Sequence, residues 1–201
     1  MYILITGASS GIGHALARYL ASNPIEGMRG IVLLARRKDR LKKLSTHLRS
    51  VLPRLEIEIA DVDISNVQAV RQWLKTNKKT VKQIGILVNN AGLAKGFDTF
   101  QDSAETEFIN GLDAMIDTNV KGLLTLTKLL VPTLIENAKH TKFSPQIVNI
   151  GSVAGYYVYP KGVVYCASKF AVRAITEGLR MDLLGTGIKV SSVSPGMVET
   201  E

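Results

Sequence analysis

The stretch from Asn149 to Lys169 reads N-I-G-S-V-A-G-Y-Y-V-Y-P-K-G-V-V-Y-C-A-S-K, and its reading decides that of the whole chain. The apolar residues Ile147, Val148 and Ile150 run into Gly151-Ser152, the pattern of a buried strand that empties into a loop. A helical pattern then carries Tyr165 and Lys169, whose i, i+4 spacing puts phenol and ammonium on one helix face. A free tyrosine has a pKa of about 10, too high to take up a proton readily near neutral pH, and a nearby cation favours the phenolate. Lowering such a pKa by three units requires roughly 4 kcal/mol of differential stabilisation. Ser152, at the strand end, is positioned to hold a substrate oxygen with its hydroxyl. Taken alone, Y-x-x-x-K favours an amphipathic helix with an incidental Tyr and Lys, so the rest of the chain must arbitrate.

At the other end of the chain, Met1 to Thr6 reads as a strand, followed at once by Gly7-Ala8-Ser9-Ser10-Gly11-Ile12-Gly13 and a helical pattern through Ala21. A glycine-rich turn between strand and helix lets backbone approach a phosphate and aims unpaired N–H groups at it; as a lone triplet it is also compatible with a simple tight turn. A second apolar run, Ile31 to Ala35, ends at Arg36-Arg37. In dinucleotide-binding βαβ units this strand end faces the adenosine ribose, where a carboxylate bonds the 2′-hydroxyl and an arginine accommodates a 2′-phosphate. Ala35 and Arg36 stand there without a carboxylate, which selects NADP over NAD.

Between these ends, Leu55 to Ala60 alternates as a third strand, and a helix through Trp73 follows Asp63-Ile64. Ile84 to Asn89 is a fourth strand that leads into Asn89-Asn90-Ala91-Gly92. Two helical stretches, Ala104 to Thr118 and Lys121 to Ala138, are separated by an interruption at Asn119. A fifth strand, Ile147 to Ile150, a helix from Val163 to Leu184 and a sixth strand, Ile188 to Val193, complete the pattern before Pro195-Gly196. Strands alternating with helices imply right-handed crossovers and a parallel sheet, hence an α/β fold of the doubly wound Rossmann type with helices on both faces. No linker or repeat divides the chain, so residues 1–201 form a single domain.

With 46% hydrophobic and 21% charged residues, the composition is that of an ordinary globular protein. No apolar run approaches the roughly 20 residues that span a bilayer, so no membrane role is expected, and the cytoplasm is the default. The net charge of +8 gathers mainly in Arg36 to Lys43 and Lys75 to Lys82, with no nucleic-acid-binding motif, so no nucleic-acid partner is expected. Cys166, the single cysteine, has no internal disulfide partner and reads as a small buried helix residue in a reducing compartment. His14, His47 and His140 show no ligand spacing with it, and no metal site is expected.

Taken in order, Thr6 to Gly13, Asn89 to Gly92, Asn119, Ser152, Tyr165 with Lys169, and Pro195-Gly196 resemble the short-chain dehydrogenase/reductase family across the whole chain. Asn89 to Ala94, Met115 to Leu123, Asn149 to Lys169 and Val198 to Glu201 look closer still to its NADP-dependent 3-hydroxy acid dehydrogenases, the serine and allo-threonine type. The resemblance implies that Tyr165 is the general base in oxidation and the acid in reduction. It implies that Lys169 lowers the tyrosine's pKa and holds the nicotinamide ribose, that Ser152 polarises the substrate carbonyl, and that Asn119 holds a water in the proton relay. Asp63 and Ile64 would hold the adenine and Asn90 would lie against the adenosine-side ribose. Ala91 and Gly92 would line the cofactor. Pro195, Gly196, Val198 and Thr200 would border the nicotinamide end. Such proteins continue with a substrate-covering loop, helices and a last strand, and the sequence here reaches Glu201 before them. A homodimer or homotetramer is the family-typical assembly. The implied reaction is hydride transfer between NADP(H) and a small 3-hydroxy acid. The alternatives are a reductase of another carbonyl class (ketosteroid, ketosphinganine or 3-ketoacyl) and a non-catalytic NADP-binding sensor. The sensor would have no need of Ser152, Tyr165, Lys169 and Asn119 together.

Overall fold

The computed structural model describes residues 1–96, 98–140 and 143–199. In chain order the elements are β1 (Tyr2–Thr6), α1 (Gly11–Ser22), β2 (Gly30–Ala35), α2 (Lys38–Val51), β3 (Glu56–Asp61), α3 (Val67–Thr76), α4 (Lys78–Val81) and β4 (Ile84–Asn89). They continue with α5 (Glu105–Ile116), a π-helical turn (Asp117–Gly122), α6 (Leu123–His140), β5 (Gln146–Ile150), a 3₁₀ turn (Val153–Gly155), α7 (Val163–Asp182) and β6 (Lys189–Val193). The six strands are all parallel, in the order β3-β2-β1-β4-β5-β6. The expected doubly wound α/β fold is therefore the observed one.

β1, β2 and β4 are buried along their whole length, which is why they read as unbroken apolar runs. Their alternate side chains feed two separate cores. Ile3, Ile5, Ile31 and Leu33 pack with Leu41, Leu44 and Leu48 of α2 and with α1 on one face. Leu4, Val32, Leu34 and Leu87 pack with Trp73 of α3 and with Leu126, Leu130 and Leu134 of α6 on the other. Full burial of each such side chain is worth about 1.5–3 kcal/mol, so a one-residue slip of any central strand, which would exchange its two faces, is strongly disfavoured. The edge strands are less buried: β6 alternates between exposed and half-buried positions, and β3 is half-buried along its middle and fully buried only at Ala60.

One expectation is corrected. Asn119 does not interrupt two helices; α5 passes through the π turn directly into α6 as one continuous rod. Asparagine disfavours helix interiors because its side chain competes for backbone groups. Here it finds those groups on another segment. Asn119 Oδ1 accepts from Leu93 N at 2.9 Å, and Nδ2 donates to Leu93 O at 2.9 Å. The wider turn turns this residue inward, where it is 1% exposed.

Strand order reverses between β1 and β4, and in open α/β sheets ligands bind beyond the carboxyl ends of the strands at that point. Every sequence-selected group within the described residues lies on the segments that leave those strand ends. Thr200 lies outside the described residues.

Candidate active site

The glycine turn leaves β1 at the switch point. Gly7 adopts φ +68, and Gly13 packs so closely that a Cβ would come 2.5 Å from Asn90 Nδ2 and 2.8 Å from Gly7 O. Asn90 braces this turn from β4, its Nδ2 donating to Thr6 O at 2.8 Å and to Gly7 O at 3.4 Å. Its Nδ2 is thus engaged with the loop backbone. Thr6 completes the lock: its hydroxyl accepts from Asn90 N and Ala91 N, both at 2.9 Å, and donates to Val88 O at 3.2 Å.

The start of α1 is open. Ser10 occupies the N-cap without a capping side-chain bond, and the first turn carries no acidic residue. The N–H groups of Gly11, Ile12 and Gly13, unpaired in any α-helix, therefore meet a positive dipole end with no built-in anion. Above it, Arg37 Nη2 donates to Ser10 Oγ at 2.7 Å and Nε donates to Ser9 Oγ at 3.3 Å. Arg36 Nη1 stands 3.8 Å from Asp63 Oδ2, with both side chains well exposed. An exposed pair at that distance is worth little, so Arg36 loses little by turning to a stronger anion. Asp63 Oδ1 accepts from Ser65 N and Oγ at 2.9 and 2.7 Å, while the Ile64 side chain is buried in the core, leaving only its main chain for a ligand.

The second cluster forms where β5 meets α7. Lys169 is only 7% exposed, and Nζ donates to Ile150 O at 3.0 Å. Burial pushes its ammonium down to about 8. Nζ also lies 5.8 Å from the Tyr165 ring centroid, so the pair read from i, i+4 spacing does share a face. Ser152 caps the 3₁₀ turn: its Oγ accepts from Ala154 N at 3.1 Å, which leaves the hydroxyl proton free to donate elsewhere. That turn lies directly on α7 because Gly155 has no side chain; a Cβ there would come 2.7 Å from Lys169 O. Pro195 ties in the end of β6 by accepting from Val153 N at 3.0 Å. Asn119 reaches the same place. Besides its bonds to Leu93, its Nδ2 donates to Ser168 Oγ at 3.0 Å, and Ser168 Oγ donates to Tyr165 O at 2.7 Å. The amide is largely spent on holding Leu93 and α7 together. Gly92 stands against both Asn119 Oδ1 and Lys169 Nζ.

Tyr165 borders a cavity of about 620 Å³ between Lys95, Gly96 and the residues 98–103 on one side, and α5 and the start of α7 on the other. Lys95 and Lys161 line it, and so do Asp98 and Glu107. Gly196 and Val198 lie exposed just beyond β6. Cys166 is buried, as expected of a small helix residue. Among the described residues no group of three or more His, Cys, Asp or Glu is arranged to hold a metal ion, and no helix is long and apolar enough to cross a membrane.

Sequence reading missed the supporting residues. Thr6 entered only as the start of the glycine-turn motif and Ser168 was not singled out, nor was the buried relay in which Asn89 Nδ2 donates to Thr127 Oγ1 and Asn149 Oδ1, and Asn149 Nδ2 to Thr176 Oγ1, each at 2.9 Å. The available signal was polar: Asn89 and Asn149 interrupt otherwise apolar strands, and a buried amide needs partners.

A parallel sheet with an open helix start and a glycine turn at its switch point defines a Rossmann-type nucleotide-binding protein. The chain belongs to the short chain dehydrogenase family, whose profile matches residues 1–201, and it is an oxidoreductase of that family. It is similar to sulfoacetaldehyde reductase 2 of Chromohalobacter salexigens, with 41% identity over 199 residues that cover 99% of this chain and 73% of that one. Among solved structures it is similar to a closed form of serine dehydrogenase complexed with NADP+, at a TM-score of 0.86 and 34% identity, covering 100% of this chain and 74% of the other. A short-chain dehydrogenase from Sphingobium yanoikuyae in complex with NADPH gives a TM-score of 0.83 and 30% identity, covering 100% and 72%.

Proposed function

We propose that this chain is a single catalytic domain that transfers hydride between NADP(H) and a small 3-hydroxy acid, or the sulfonate counterpart of one, using Tyr165, Lys169, Ser152 and Asn119. The observation that carries the reading is the buried Lys169 ammonium beside the Tyr165 ring, with the free Ser152 hydroxyl on the adjoining turn and a cavity that Tyr165 borders.

The residues present suit the cofactor. The open start of α1 with Gly7, Ser9, Ser10, Gly11, Ile12 and Gly13 suits a pyrophosphate, and Arg36 and Arg37 a 2′-phosphate. Asp63, the Ile64 main chain, Ala91 and Gly92 would line the adenosine half; Pro195, Gly196 and Val198 the nicotinamide half, together with Tyr165 and Lys169. NADP(H), when bound, supplies or accepts the hydride. In oxidation Ser152 donates a hydrogen bond to the substrate oxygen while Tyr165 removes the hydroxyl proton; in reduction Tyr165 returns it. Lys169 is the fixed cation beside the phenol. Asn119 sets the placement of α7 through Ser168, so a relay water would hang on its main chain rather than on its committed amide. Two similar proteins whose names specify small substrates with an acid head group, a carboxylate in serine and a sulfonate in sulfoacetaldehyde, support the substrate class. A buried lone Cys166 agrees with the cytoplasm, and a homodimer or homotetramer is the assembly expected by analogy.

Two measurements test this reading. Charge-assisted hydrogen bonds of about 1.5–3 kcal/mol from Arg36 and Arg37 correspond to a preference for NADP over NAD of about ten- to a hundredfold. The dissociation constants of the wild type and of Arg36→Ala/Arg37→Ala for both cofactors should show this preference and its loss. Equal wild-type affinities would overturn the assignment of the β2 end. Separately, the full-length protein should oxidise 3-hydroxypropionate or serine with NADP at a far higher kcat/KM than the methyl esters. Esters that match the acids would leave a reductase of neutral carbonyls as the better reading.

A further inference from the structure

We propose that Lys161 holds the anionic head group of the substrate, a carboxylate or sulfonate, and so selects short acids over neutral alcohols and carbonyls. This rests on the reading of Tyr165 as the proton-transferring residue and adds the residue that recognises the substrate.

Among the described residues Lys161 is the one non-glycine position at positive φ, at +69. A β-carbon crowds the backbone in that left-handed region, where glycine sits without penalty. A lysine there gives up stability that glycine would keep, and such outliers concentrate where a side chain must be aimed. The left-handed turn lies immediately before the buried Gly162 and the first turn of α7, four residues ahead of Tyr165.

The cavity makes the aim specific. Lys161 and Tyr165 both line the space of about 620 Å³, a size within the usual range for small-molecule sites. Lys95, Asp98 and Glu107 line it as well, so two cations face two carboxylates and the cavity's summed charge does not favour an anion. Selection must therefore come from one placed cation. Lys95 packs its Cβ against Gly111 of α5, so its side chain starts from that helix. Lys161 stands on the Tyr165 side, and among the described residues no carboxylate lies within ion-pair distance of it. A substrate carboxylate that loses water on entering needs such a partner. A two- or three-carbon molecule that carries its reacting hydroxyl at one end and its acid at the other would bridge the two residues.

The test uses full-length protein, wild type and Lys161→Gly and Lys161→Gln, with NADP and three substrates: 3-hydroxypropionate, 2-hydroxyethanesulfonate and the methyl ester of the first. Both variants should lose about ten- to a hundredfold in kcat/KM on the acid they recognise, chiefly through KM, because the lost contact is made equally before and during reaction. The ester should change less than about twofold on the same scale. The carboxylate and sulfonate arms show which head group is read. Lys161→Gly should melt no lower than wild type, since glycine relieves the backbone, and this separates lost recognition from lost folding. Equal losses on acid and ester, or no loss on either acid, overturn the proposal. A thermal shift induced by 3-hydroxypropionate or by 2-hydroxyethanesulfonate in wild type but not in Lys161→Gly, without turnover in either, would keep Lys161 as the anion site and sink the proposed oxidation of short hydroxy acids instead.

Discussion

Tyr165→Phe is expected to lose about 10²–10⁴-fold in kcat while keeping its affinity for NADP, the span that general acid–base catalysis typically contributes. The change removes one oxygen from a half-buried ring and leaves the ring in place above Lys169, so the fold should be unaffected. Tyr165's contribution to the scaffold runs through its main chain, since its carbonyl accepts from Ser168 Oγ, and that bond survives the substitution. The loss should appear equally in kcat and kcat/KM, because the proton moves only in the transition state. The control is Ser168→Ala, which unties α7 from Asn119 without touching the phenol. A Phe variant that keeps more than about a tenth of wild-type kcat would end the case for Tyr165, since that is below the smallest effect general acid–base catalysis usually shows.

Lys169→Met should make the cofactor-free protein more stable while abolishing turnover. The ammonium is held at about 8, against an ordinary value of 10.5, by desolvation. Between those two values the unfolded chain binds the proton that the folded chain has released. Stability therefore rises with pH across the window from about 8 to 10.5, and the whole cost of burying the charge is present below it. At 1.36 kcal/mol per unit the cost is about 3 kcal/mol at pH 7. Methionine fills a similar volume without charge, although it orphans Ile150 O, which costs about 1 kcal/mol. The net gain of about 2 kcal/mol corresponds to a Tm higher by roughly 4–8 °C at pH 7 for a chain of this size. The variant should also lack the rise in stability between pH 8 and 10.5. Denaturant melts across that range decide it. A variant no more stable than wild type at pH 7 would mean that the lysine is solvated well enough to stay charged at little cost. Stability given up to keep a cation in a dry site is what a catalytic role predicts and a structural role does not.

How much of this was legible beforehand follows from which interactions are local. The six strands, their faces and the parallel arrangement were in the sequence because alternation of strand and helix, and unbroken apolar runs such as Ile31 to Ala35, report burial on two faces directly. Tyr165 and Lys169 were legible as a pair because helix geometry alone puts i and i+4 together, and the glycine turn because it falls between a strand and a helix. Ser152, Arg36 and Arg37 could be placed at strand ends for the same reason. What tertiary structure alone decided concerns groups whose partners lie far along the chain. Asn119 looked like a helix break because its local preference is unfavourable, yet bonds to Leu93 and Ser168 carry the helix through it as a π turn. Asn90 donates to the Thr6 and Gly7 carbonyls, and Thr6, in the sequence only the start of the glycine-turn motif, accepts from Asn90 N in return. Lys161 was one loop lysine among several until its backbone took the left-handed turn beside Tyr165. Periodicity encodes which face is buried, but a hydrogen-bond partner 26 or 84 residues away is chosen by the packed sheet, and no local pattern records it.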